Sequence, residues 1–114
     1  MSKELPHDLL AEKAFVGCLL VDNASFDEIT DLNLSSQDFY HPQYATVFQG
    51  IHELFSESLP FDLVSICSKL NDMGKLESIG GQGFIVDLVE DTASSANIYH
   101  YAQTIKNKSV LRSI

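Results

Sequence analysis

The residues with chemistry beyond packing in this chain are four histidines, two cysteines and two tight sets of carboxylates. His7, His41, His52 and His100 show no HExxH or comparable metal-ligand spacing. His41 precedes Pro42 and stands where it helps to cap the helix that follows. His52 adjoins an apolar stripe and reads as a boundary residue rather than a base. Asp27, Glu28 and Asp31, or Glu90 and Asp91, have the composition of acid–base dyads. They fall at helix starts and on polar faces, however, where negative charge is favourable for its own reason. Cys18 and Cys67 each lie inside an apolar periodic segment without a CxxC partner, which reads as two buried free thiols of a reducing compartment. Gly80-Gly81-Gln82-Gly83 lacks the preceding strand and the Lys of a phosphate loop. No GxxxxGK[ST] occurs, so nucleotide hydrolysis is not expected in this fragment. Ser25, Ser35 and Ser95 precede helical segments and read as caps, and no GxSxG elbow is present. The expectation is no catalytic residue, no cofactor site and no metal site.

The elements that must carry these residues are helical almost throughout, with no alternating strand pattern. The first helix starts near Asp8, a capping residue after Pro6. From Leu9 to Val21 apolar groups lie on every side, the pattern of a central buried helix. Gly17 inside it costs about 1 kcal/mol of helix propensity relative to Ala, which implies close approach of a neighbouring backbone. A short second helix begins at a capping box of Ser25 and Glu28 and shows Phe26, Ile29 and Leu32 on one face. A turn through Ser35 and Asp38 leads to Phe39 and Tyr40. Pro42 opens the third helix. Its Tyr44, Val47, Phe48, Ile51, Leu54 and Phe55 fall within a stripe roughly 120° wide at about 100° per residue. The fourth helix is capped by Asp62 and stopped by Gly74. After the Gly80-Gly81 turn a fifth carries Phe84, Ile85, Leu88 and Val89, and the last starts after Ser94 and Ser95.

The chain has 114 residues, 45% of them hydrophobic, which is enough for one compact core without disulfides or metal. Seven basic against sixteen acidic residues give a net charge of −9. That balance argues against gripping a nucleic-acid backbone. No basic segment followed by an apolar one opens the sequence, and the run from Phe15 to Val21 is far shorter than a bilayer span, so no membrane partner is expected and a cytoplasmic location is.

The last helix carries the most functional information. Ile98, Tyr101, Ala102 and Ile105 form its core stripe, but continuing that stripe places Lys108, Ser109 and Arg112 against the core. The apolar residues Tyr99, Val110, Leu111 and Ile114 cluster instead roughly on the opposite side. A helix apolar on two faces at different heights contacts two bodies, so these four are the candidate protein interface. Lys106, Lys108 and Arg112, three of the seven cations, complement a helix C-terminus or acidic groups on a partner. No helix stop follows Ile105, so the helix is expected to run on into chain beyond Ile114.

Taken in order, several segments carry a family resemblance. Leu5-Pro6-His7 leading into Ala11-Glu12, and Gly17 before Leu19-Leu20, resemble the opening of the N-terminal domain of the bacterial replicative DNA helicase of the DnaB type. Asp38-Phe39-Tyr40 with Pro42 is similar to that family's turn into its long helix. Pro60 with Asp62, Gly74-Lys75-Leu76 and Ile79-Gly80-Gly81 resemble its next helix start and turn. Ser94-Ser95-Ala96-Asn97 with Tyr101-Ala102 and Ile105 resembles the segment before its helical hairpin. The likeness runs from Leu5 to Arg112. Asp31-Leu32-Asn33-Leu34 departs slightly from the family's pattern, and the hairpin and ATPase domain lie outside this sequence.

The resemblance implies an all-α, compact bundle of about six helices as a single domain over residues 1–114, the last helix continuing toward the absent hairpin. It implies a collar role: self-association, as a dimer or within a hexamer, and docking of the primase C-terminal domain or of a helicase loader. ATP and Mg would serve only the absent motor domain. Two alternatives stand beside it. One is the helicase-interacting C-terminal domain of a bacterial primase, itself a small helical bundle. The other is a small helical enzyme using His and Asp, which needs convergent titratable groups in an apolar pocket.

Overall fold

The computed structural model describes residues 5–114, leaving residues 1–4 of the single-domain reading outside it. Among the described residues the regular structure is wholly helical: α1 (Leu9–Val21), α2 (Pro42–Ser56), α3 (Leu63–Asp72), α4 (Gln82–Glu90) and α5 (Ile98–Arg112), with four short 3-10 segments. The expected all-α bundle of about six helices is what forms, with one correction of type. The second helix is a 3-10 segment, Asn23–Glu28, and it starts two residues before Ser25. Ser25 makes no capping box. Its hydroxyl donates to the Asp22 carbonyl at 2.6 Å and the residue is buried.

Local signals place the other ends. The Asp8 carboxylate accepts from the Ala11 N–H at 3.0 Å and starts α1. Pro42 opens α2, where no N–H is needed. Asp62 and Ser65 form a reciprocal capping box at the start of α3, and Gly74, at φ +72°, turns the chain away after it. Helix α5 differs from expectation. Its N-cap is Asn97 and no side chain caps it. The Ser94 hydroxyl accepts from the Ala96 N–H, while the Ser95 hydroxyl donates to the Asp22 carboxylate at 2.8 Å.

Helix α1 is the hub, packing on α5, α4, α2 and the 23–28 segment. Phe15, Val16 and Leu19 are fully buried there. Phe15 meets Phe48 of α2, which in turn faces Phe39 at 5.0 Å between ring centres, and Phe26 stacks on Phe55 at 3.9 Å. The contacts of Phe48 with Phe15 and Phe39 each add about 1 kcal/mol beyond burial. The α1 helix is not buried all round, however. Leu10 is 75% exposed, and Leu9 and Val21 are about half exposed, so one strip of the hub faces solvent. Gly17 fulfils its expected part. A β-carbon there would lie 2.0 Å from the Thr92 hydroxyl and 3.1 Å from the Leu88 carbonyl oxygen, so α4 and the loop after it cross α1 at this point.

Candidate protein interface

The interface candidates sit on α5, so what holds α5 decides their placement. Its first half is fastened by burial: Ile98, Ala102 and Ile105 are within the core. Its second half is fastened by polar bonds to the 35–39 turn. Asp38 is nearly buried and accepts the Ser35 N–H at 2.8 Å and the Ser109 hydroxyl at 2.8 Å. Lys106 approaches the same carboxylate at 3.6 Å. The Arg112 guanidinium donates to the Asp38 carbonyl at 2.6 Å and to the Pro6 carbonyl at 2.9 Å, and lies 5.5 Å from the Tyr40 ring centre. The core stripe therefore does continue through Ser109 and Arg112. These residues face the domain because the surface opposite them is polar, which corrects the reading that they were misplaced there.

The 35–39 turn is itself anchored by a buried charge. Glu12, 1% exposed on α1, accepts the N–H groups of Tyr40 at 2.9 Å and His41 at 3.1 Å. Its carboxylate thus serves the start of α2, where negative charge suits the helix dipole. His41, expected to help as a cap, makes no side-chain cap bond. Its ring instead meets His7, Tyr40 and Tyr44 edge-on. The sequence singled out Glu12 only within the Ala11-Glu12 segment of the family resemblance, without a partner. Asn23 was missed similarly: its amide accepts the Phe61 N–H at 2.9 Å and donates to the carbonyls of Phe61 and Leu19.

With α5 held in this way, Tyr99 is 38% exposed, Val110 50%, Leu111 51% and Ile114 94%. They divide into two places. Tyr99 donates its hydroxyl to Asp31 at 3.3 Å, and the neighbouring carboxylate charge pushes the phenol pKa up. Val110 follows eleven residues later, about 16 Å along the axis. Val110 and Leu111 project near the end of α5, and Ile114 lies just past its last turn.

The other chemical candidates stay apart. Cys18 is buried and donates to the Ser94 carbonyl at 3.3 Å, Cys67 is half-buried, and burial pushes both thiols up. His52 is exposed beside Phe26 and Phe48. No helix among the described residues is long and apolar enough to cross a membrane.

A compact all-helical domain built around one central helix defines the class of small helical-bundle domains. Comparison with known proteins makes it specific. Residues 4–107 match the family described as DnaB-like helicase N terminal domain, and the chain belongs to that family. It is 33% identical over 111 residues to the replicative DNA helicase DnaB of Buchnera aphidicola, covering 97% of this chain and 24% of that protein. It is 31% identical to the Pasteurella multocida counterpart, covering 96% and 23%. The chain thus spans about a quarter of the length of these curated relatives. Its structure is similar to the crystal structure of the N-terminal domain of DnaB helicase from Mycobacterium tuberculosis, with a TM-score of 0.89 and 29% identity over 96% of this chain and 77% of that one. The corresponding domain from Helicobacter pylori, described together with its interactions with primase, gives a TM-score of 0.73 at 25% identity over 90% of this chain and 79% of that one. The primase C-terminal domain reading finds no support in these matches. Tyr99 lies within the family-matched residues, and Val110, Leu111 and Ile114 lie past them.

Proposed function

We propose that this chain is the collar module of a hexameric replicative DNA helicase acting in the cytoplasm, and that it associates subunits and docks primase or a loader during DNA replication. Strand separation, with its ATP and Mg, belongs to a motor region other than these residues, and this module performs no catalysis. The exposed trio Val110, Leu111 and Ile114 on an anchored helix carries the reading. Uncovered apolar side chains on a fixed support gain free energy by burial against a partner, in rough proportion to the area covered. Primase as a partner is supported by the description of the Helicobacter pylori relative. The acidic surface, at −9, disfavours a direct hold on DNA.

Sedimentation velocity over a wide concentration range tests this. The wild-type chain should self-associate, and the double variant Leu111→Asp, Ile114→Asp should remain monomeric with an unchanged circular dichroism spectrum. Titration with a primase C-terminal domain should give a complex. Monomeric behaviour of both proteins at high concentration, together with no primase binding, would overturn the proposal.

A further inference from the structure

The segment that leads into α1 is held by the last turn of α5, 106 residues further along the chain. The Arg112 guanidinium donates from one nitrogen to the Pro6 carbonyl at 2.9 Å and from the other to the Asp38 carbonyl at 2.6 Å. A planar fork fixes the directions of its donors, which a point-like ammonium does not. Beside this bridge the His7 ring lies flat on the Tyr40 ring, 4.2 Å between centres and 8° between planes. Arg112 stands 5.5 Å from the centre of that same Tyr40 ring. The His7 Nδ1 donates to the Leu5 carbonyl at 2.9 Å, which folds the segment onto itself.

Apolar burial does little for either piece. Leu5 is 55% exposed and Pro6 is exposed, while the last buried apolar residue of α5 is Ile105. Parts of a fold with few buried apolar contacts open first, in contiguous units. These two parts share Arg112 and Tyr40, so each loses bonds when the other departs. A further observation sets the balance. The His41 ring packs edge-on against His7 at 4.9 Å and against Tyr40 and Tyr44, and its Nε2 is buried with no hydrogen-bond partner among the described residues. Keeping a polar atom from water in this way costs free energy, which opening returns. We infer that residues 5–8 form a strap that closes over Tyr40 and His41 and opens together with the last turn of α5, with Arg112 as the pin of both. The device belongs to the domain itself and does not depend on the association role. By linkage, whatever lifts the strap loosens the last turn of α5 to the same degree, and the reverse holds.

The test perturbs one end and reads the other, on the whole chain. His7→Ala removes the stacked ring from the strap. It should speed amide hydrogen exchange of Val110, Leu111 and Arg112, in the last turn of α5, about fivefold, the worth of one aromatic contact. Arg112→Lys keeps the charge and loses the fork. It should speed acylation of His41 by diethyl pyrocarbonate, mapped by mass spectrometry, by about the same factor, because the reagent reaches the buried nitrogen only when the strap is lifted. In the wild type, urea should speed exchange in this last turn less steeply than at Ala102 in the core half, since the unit exposes little surface. If His7→Ala leaves last-turn exchange at the wild-type rate, strap and helix end open independently and the inference falls. It falls too if Arg112→Lys leaves His41 acylation unchanged. The wild type alone also decides: a last turn with the urea dependence of Ala102 opens only by unfolding of the whole domain, and the strap is then no separate unit.

Discussion

Replacing Gly17 by Ala sets two effects of similar size against each other, and the structure decides which wins. In an open helix the change adds about 1 kcal/mol of stability through backbone propensity. Here the new methyl would sit 2.0 Å from the Thr92 hydroxyl and 3.1 Å from the Leu88 carbonyl oxygen. The carbonyl belongs to α4 and cannot swing aside. The Thr92 hydroxyl can rotate, but it donates to that same carbonyl at 2.8 Å, so rotation loses a hydrogen bond of about 1 kcal/mol. Overpacking a well-filled site costs about 1–3 kcal/mol. The net expectation is a loss of about 1–3 kcal/mol, or roughly 4–13 °C in melting temperature for a domain of this size. Thermal denaturation of Gly17→Ala, Thr92→Ala and the double variant measures it. Removing the hydroxyl leaves the Leu88 contact and an ordinary one to the residue-92 β-carbon at 3.4 Å, so Gly17→Ala in the Thr92→Ala background should be close to neutral, a coupling of about 1 kcal/mol or more. A raised melting temperature for Gly17→Ala, or an undiminished loss in the Thr92→Ala background, would refute the crossing as the reason for glycine.

Two further outcomes follow from polar groups. Glu12→Gln keeps one acceptor but turns an NH₂ group toward a buried backbone N–H of Tyr40 or His41, and should cost about 2–3 kcal/mol in urea denaturation; an unchanged midpoint would show that these bonds do not support α2. Asp62→Ala should cost about 1 kcal/mol as a lost cap. The Ser65 N–H and hydroxyl hold the Asp62 carboxyl below its ordinary value, so its contribution is full above the unfolded pKa near 3.9 and is lost as pH falls through the lower folded value. The difference between wild type and Asp62→Ala should therefore close below about pH 4, and a constant difference across that range would contradict the capping account.

What the sequence made legible was local. Asp8, Pro42, Asp62 and Gly74 act on residues within one turn, and their types mark the helix ends where they form. The α2 stripe was legible because periodicity reports burial: five of its six residues are buried and Phe55 is half-buried. The ties between distant parts of the chain were hidden for the opposite reason. Glu12 reaches 28 and 29 residues along the chain, Asn23 reaches 38, and Ser109 and Arg112 reach back 71 and 74 to Asp38. No local rule joins such pairs, so Ser109 and Arg112 looked misplaced when their partners were merely distant. The 3-10 segment after α1 misled for a related reason: Ser25 satisfies the Asp22 carbonyl behind it instead of opening a helix ahead. The uncovered trio was legible as surplus apolar surface, whereas an open groove between α1 and α5 arises only when the two helices come together.

Helix α5 is glued by two adhesives that respond to different solvents. Cooling loosens the oily grip on Ile98, Ala102 and Ile105, because apolar burial weakens toward low temperature. The ties from Ser109 and Arg112 to Asp38 do not share that dependence on apolar hydration. One rod is thus fastened by oil at one end and by charge and hydroxyls at the other.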